Sequence, residues 1–173
     1  PKTLEGALLE ECKGLAPFSG LARVVVRGSN FDGMDFAGVD LEKSSFHGCS
    51  FVGARFRGAV LKQASFIECD LSQADLSQLE LELVVWPRCT LKGANLAHSR
   101  LSLACLVGVD LREADLSGVF IKQSTLDEAK LTGAKLEGAR FEGVHFTAVD
   151  LRGLTLRGGS FRRCNLADRK SVV

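Results

Sequence analysis

A large apolar residue recurs at every fifth position from Leu21 to Leu166 without a break, thirty in succession. The series opens Leu21, Val26, Phe31, Phe36, Leu41 and Phe46, passes through Trp86 and Leu96, and closes on Phe161 and Leu166. A spacing of five fits neither the 3.6-residue period of a helix nor the plain period of two of a strand. The position two residues before each centre resolves the conflict, because it is small. It reads Ala54, Ala59, Ala64, Cys69 and Ala74 in one stretch and Ala129, Ala134 and Ala139 in another. Residues two apart share one side of an extended chain, so a small and a large side chain point inward together while three others point out. The chain must then turn before the next inward pair. Glycine fills the position two after the centre in fourteen of the thirty repeats, Gly28, Gly33 and Gly38 among them. Glycine permits the positive φ that a type II corner demands.

Two features spaced by twenty residues predict four sides per coil. Cys49, Cys69 and Cys89 would stack on one inner column, and the outer column Glu42, Lys62, Glu82, then Lys122, Glu142, Arg162 alternates in sign. Stacked neighbours at about 4.8 Å gain modestly from opposite charge. Residues 19–170 then make about seven and a half coils, a rod about 36 Å long.

Ala74-Asp75-Leu76, Ala94-Asn95-Leu96 and Ala114-Asp115-Leu116 match the motif A-(D/N)-L-x-x letter for letter. On these segments the chain resembles the pentapeptide-repeat family over about residues 19–168. The resemblance implies an all-β fold, a right-handed quadrilateral β-helix (solenoid). Asp or Asn precedes the centre in ten of the thirty repeats, Asp70, Asp110 and Asp150 included. Such side chains hydrogen-bond local backbone at turns, which gives them a structural role.

The ends break the period. Residues 1–18 are expected to form an N-terminal cap: Thr3 can open a short helix over Leu4 to Lys13, with Gly14 as its stop and Leu4, Leu8, Cys12 and Leu15 on one face. A helix laid over the first coil would cover its apolar, unpaired edge. At the other end Arg163 to Val173 offers no comparable cap, and residues 171–173 read as a tail. Either the last coil pairs with a second molecule or a longer parent chain continues. The stretch is also basic: Arg152, Arg157, Arg162, Arg163, Arg169 and Lys170 stand against Asp168.

Composition narrows the function. Twenty-two basic residues balance twenty-one acidic ones, so the chain carries no strong overall field of either sign. No apolar run approaches the roughly 20 residues of a membrane span, and no signal-peptide pattern opens the chain. Six cysteines form no zinc-type cluster; they read as small buried residues and favour a reducing, cytoplasmic compartment, or export without a recognisable signal peptide. Catalytic groups do not converge. His47, His98 and His145 fall on different sides or several coils apart, and Asp70 and Asp110, or Asp75 and Asp115, stack two coils apart on a convex wall. No enzyme, cofactor or metal is expected.

One stretch departs from the rule. From Leu79 to Thr90 the chain reads LELELVVWPRCT, with Trp86 oversized for the centre slot and Pro87 beside it, where it is expected to remove a ladder donor. Nearby outward positions are apolar: Ile67, Leu83, Val85, Pro87, Leu103, Cys105 and Val107. A twenty-residue coil gathers them near one corner across three coils, a candidate partner or self-association surface.

The leading expectation is a non-enzymatic protein-interaction or scaffold module, which the family resemblance permits, including as part of a larger bacterial or secreted effector protein. The partner is another protein, or a second copy bound through the C-terminal end or the apolar patch. Two alternatives follow. The resemblance includes a quinolone-resistance branch that mimics DNA and binds DNA gyrase, but that role needs a strongly acidic surface. Nucleic-acid binding through the basic C-terminal end lacks stacking aromatics.

Overall fold

The structure, a computed structural model, describes residues 8–10 and 20–166. Over them the chain is an all-β quadrilateral solenoid of about seven turns, with no helix among the described residues. Each turn has four sides, centred in the first coil on Leu21, Val26, Phe31 and Phe36 (sides one to four). Nine three-residue strands are recognisable among the described residues. β1 (Leu8–Glu10), β2 (Val25–Arg27), β3 (Ser45–His47) and β4 (Ser65–Ile67) form one parallel sheet. β5 (Glu80–Glu82), β6 (Arg100–Ser102), β7 (Phe120–Lys122), β8 (Arg140–Glu142) and β9 (Ser160–Arg162) form the other. From β2 onward the register is twenty residues, Val26 opposite Phe46 and Leu81 opposite Leu101.

The inward pair fills the rod. Every centre from Leu21 to Phe146 is no more than 3% exposed, and small partners such as Ala54, Ala74 and Ala94 are fully enclosed. Burying one such Leu or Phe contributes about 1.5–3 kcal/mol, and the repeat makes that contribution four times per coil. The phenylalanines stack with the coils: ring centroids lie 4.9 Å apart for Phe31 and Phe51, 5.0 Å for Phe36 and Phe56, and 4.8 Å for Phe46 and Phe66.

The corners come in two forms. At most of them the amide three residues after the centre donates to the centre carbonyl, as Val39 does to Phe36 at 3.0 Å. Here an Asp before the centre serves the next free amide: those of Ala37, Ser72, Ser77 and Ser117 donate to Asp35, Asp70, Asp75 and Asp115 at 2.9 to 3.1 Å. The corners that end β2 to β9 are wider and do not close in that way among the described residues. Several use a side chain instead. Ser29 donates to the Arg27 carbonyl at 3.1 Å and Ser124 to Lys122 at 2.7 Å, while the Cys49, Cys69 and Cys164 thiols donate to His47, Ile67 and Arg162 at 3.5, 3.5 and 3.4 Å. The wide corner ends side two through β4 and side one from β5 onward, so the switch falls between Ile67 and Glu80.

The helix expected over Leu4 to Lys13 lies outside the described residues except for Leu8–Glu10, and those three are extended. They pair in parallel with β2, Leu9 opposite Val26. A strand answers the exposed ladder of the first coil with hydrogen bonds, which a helix laid across it could not do. The inner column Cys49, Cys69, Cys89 forms as expected, each residue no more than 2% exposed. On the outer column Lys62 reaches Glu82 at 2.8 Å, and Lys122, Glu142 and Arg162 stand in register.

Candidate interaction surface

Side two from coil to coil carries the column Arg27, His47, Ile67, Pro87, Val107, Asp127, Thr147. The order is fixed by amides donating upward. Gly28 donates to the His47 carbonyl, Gly48 to Ile67, Glu68 to Pro87, Arg88 to Val107, Gly108 to Asp127 and Glu128 to Thr147, at 2.8 to 3.2 Å. A second column on the same side pairs Ser65 with Val85, Val85 with Cys105 and Cys105 with Thr125. A third, at the adjoining corner, places Leu83 below Leu103, whose carbonyl neighbours are joined by the Leu83 amide donating to Ser102 at 2.9 Å. The fold therefore brings Ile67, Leu83, Val85, Pro87, Leu103, Cys105 and Val107 onto one wall and its edge. Val85 is 38% and Leu103 51% exposed; the other five are half-buried.

Leu83 and Leu103 occupy corner positions that glycine holds in many repeats, and both take positive φ, 58° and 53°. For a residue with a β-carbon that conformation costs roughly 1–2 kcal/mol. At Leu103 the isobutyl group is also exposed, which is unfavourable for folding a second time. Above them runs a shallow groove of about 570 Å³, lined by Leu103, Cys105, Gln123, Thr125 and His145.

Trp86 is fully enclosed and packs edge-on against Phe66, ring centroids 5.8 Å apart. Among the described residues its indole N–H has no hydrogen-bond partner. Pro87 has no amide to give to the ladder, as expected from the sequence: the first sheet ends at β4, Ser65 and Val85 continue side two only as an isolated bridge, and the Phe66 carbonyl takes the Cys89 thiol at 3.0 Å. It takes the first corner position after the centre, whose amide elsewhere turns to an Asp or Asn side chain, and its fixed φ suits that position; Arg88 follows at φ 55°.

Sequence reasoning missed one cluster. Phe120, on side one, lies between two guanidinium groups, Arg100 at 5.1 Å and Arg140 at 5.5 Å from its ring centroid. The spacing of twenty was a sufficient signal. Elsewhere the acidic residues stack as the register requires, Asp70 below Thr90 below Asp110 and Asp75 below Asn95 below Asp115. Among the described residues no group of three or more His, Cys, Asp or Glu could hold a metal ion, and no helix is long and apolar enough to cross a membrane.

Comparison with known proteins bears on this architecture. Among solved structures, the chain is similar to QnrB1, a plasmid-mediated fluoroquinolone resistance protein, in a trypsin-treated form. The identity is 24%, with 92% of this chain and 89% of that one covered at a TM-score of 0.47. It is also similar to HetL of Nostoc sp. strain PCC 7120, a pentapeptide repeat protein involved in heterocyst differentiation regulation. There the identity is 23%, the coverage 95% and 84%, and the TM-score 0.36. A thylakoid-lumen pentapeptide repeat protein of Arabidopsis thaliana matches at 24% identity over 73% of this chain and 71% of that one, TM-score 0.24. No curated protein gives a significant match by sequence. The family model "Pentapeptide repeat region" matches residues 19–101, and "Pentapeptide repeats (8 copies)" matches 88–118, 104–143 and 124–168. With the models spanning nearly all of the coils, the chain belongs to the pentapeptide-repeat family.

Proposed function

We propose that this protein is a non-enzymatic interaction module that binds a protein partner through the apolar wall around Val85 and Leu103. The observation that carries the reading is what two corners present: of fifteen described non-glycine residues at positive φ, twelve are polar or charged, and Leu83 and Leu103 are the large apolar ones. Leu83 and Leu103 hold a backbone that glycine holds at lower cost, and Leu103 leaves half its surface in water. Such a departure from an otherwise regular repeat makes sense where the side chain is used. A solenoid suits the role, since stacked coils offer a broad rigid wall instead of an enclosed pocket.

Replacing Val85 and Leu103 together by Glu tests it. Both side chains point outward, so circular dichroism and the unfolding midpoint should stay close to those of the parent chain. Association should be lost, seen as a disappearing pull-down band or a later elution. A double variant that elutes and captures as the parent does would overturn the reading.

A further inference from the structure

The geometry points to a second copy of this chain, running antiparallel, as the occupant of the apolar wall. This rests on the reading of that wall as a binding surface and adds what binds there. The central column of side two is self-complementary about Pro87. Reading along the rod it opens on Arg27 and on His47, whose Nε2 lies 3.0 Å from the Ser45 hydroxyl, then is apolar (Ile67, Pro87, Val107), then acidic and polar (Asp127, whose carboxylate accepts the Thr147 amide at 2.7 Å, and Thr147). A two-fold axis lying in the wall at the level of Pro87 turns a second rod end for end and sets each column against itself. Ile67 then meets Val107 of the other copy, and His47 meets its Asp127. In the neighbouring column Val85 meets Val85, while Ser65 and Ser45 meet Cys105 and Thr125. At the far edge the two Arg88 side chains approach, but each is paired within its own chain to Glu68 at 3.3 Å. A parallel arrangement would instead set one edge of the wall against the other and leave the basic and acidic ends without opposite charges.

Apolar contact in the middle supplies attraction, and the charges on either side set direction and register. Only one wall of a slender rod is covered, which is small beside the roughly 800 Å² per partner of a stable interface. The dimer is therefore weak, forms at high protein concentration and dissociates on dilution and in salt.

Charge exchange between copies tests the register. Analytical ultracentrifugation of the full chain over a concentration series should show a monomer–dimer equilibrium. Asp127→Lys alone sets Lys against His47, and His47→Glu alone sets Glu against Asp127; each should weaken dimerisation by about fivefold or more. An equimolar mixture should recover heterodimer at or above the parental affinity, because one of its two facing pairs is the native His47 with Asp127 and the other is Lys against Glu. In a separate Val85→Cys variant, an oxidant such as a soluble disulfide should join the two copies at residue 85. A parent chain that stays monomeric to millimolar concentration, or single variants that the mixture fails to rescue, would overturn the second-copy proposal. If the protein is monomeric yet a partner is still lost on Val85→Glu with Leu103→Glu, the binding-surface reading survives and this one does not.

Discussion

Val85 stands where an aspartate caps many other corners of the rod, and Pro87, two residues on, has no amide hydrogen for it to cap. At Asp75 and Ser77 the same two positions are joined by a bond of 3.1 Å, the Ser77 amide donating to the carboxylate. The proline removes the donor and so frees residue 85 from the need for an acceptor. An exposed valine can then occupy the middle of the wall without leaving a corner amide unpaired. The apolar surface and the local backbone are two parts of one arrangement.

Breaking that arrangement has a calculable cost. Pro87→Ala restores an amide with no side-chain acceptor and loses the proline's preset φ, and it should lower stability by about 1 kcal/mol. Adding Val85→Asp should recover much of the loss by providing the acceptor. The double variant should thus be nearly as stable as the parent while its wall has lost its central apolar group. Urea unfolding of the parent, Pro87→Ala, Val85→Asp alone and the double variant at constant m-value measures the coupling directly.

The stacked cysteines act as hydrogen-bond donors, and this governs what can replace them. Besides closing its own corner, the Cys69 thiol donates to the Phe46 carbonyl of the coil below at 3.5 Å, where the wide corner supplies no amide. Serine already takes the corner-closing position at Ser29 and Ser124. Cys69→Ser should therefore stay closer to parental stability than Cys69→Ala, which should lose about 1 kcal/mol. The thiols should also be unreactive. At Cys69 the bond to Cys49 pulls the pKa down, but the bond to Cys89 and burial outweigh it and push it up to about 12. Cys49 is pushed up first by its bond to Cys69, then by burial. Peptide mapping after treatment with a thiol reagent at pH 8 should find Cys105 and Cys164 modified and Cys49, Cys69 and Cys89 protected until the coils open.

The repeat itself was legible because each five-residue unit states its own burial: Phe51, Ala54 and Gly53 each mark one direction. The four-sided stacking was legible as well, from Cys49, Cys69 and Cys89 at intervals of twenty. What escaped depends on partners remote in sequence. Leu8, Leu9 and Glu10 sit in a locally helical spacing, yet they are extended, and Leu9 meets Val26 at a register of seventeen residues where the rest of the sheet keeps twenty. The two corner forms were hidden for a different reason. Leu83 at a wide corner and Arg88 at a tight one share the same positive φ, 58° and 55°, so the corner residue does not distinguish them. The interaction wall was legible as a composition of outward positions; what the folded chain adds is the exposure of Leu103 at a corner that other repeats fill mostly with glycine or a polar residue.

Asp110 should make the rod sensitive to acid. Its carboxylate is held by Arg112, whose guanidinium donates at 2.6 and 2.8 Å, and it is largely enclosed. The hydrogen bond to Arg112 comes first among the causes that keep its pKa below the usual carboxylate value of 3.8, outweighing its burial. A pKa depressed in the folded state means that the unfolded chain takes up the proton first. The contribution of Asp110 is then fully present above about pH 4 and is lost as pH falls through the folded-state value. Asp110→Asn should flatten that acid limb in a series of unfolding midpoints from pH 6 to pH 2, with little change in its slope near neutrality.

Leu103→Gly sets folding against binding most directly. Glycine takes the φ of 53° without the β-carbon penalty of roughly 1–2 kcal/mol, and it loses about 0.5–1 kcal/mol in chain entropy. Leu103 is half exposed, so its removal forfeits little burial, and the net expectation is a gain of about 0.5 kcal/mol in stability. The same change takes away the most exposed apolar group of the wall and should weaken association. A raised unfolding midpoint together with reduced binding would identify Leu103 as a residue kept for the surface at the expense of the fold. A lowered midpoint would mean that its side chain packs against the neighbouring corners more than its exposure indicates, and Leu103 at that corner could no longer be read as a mark of function.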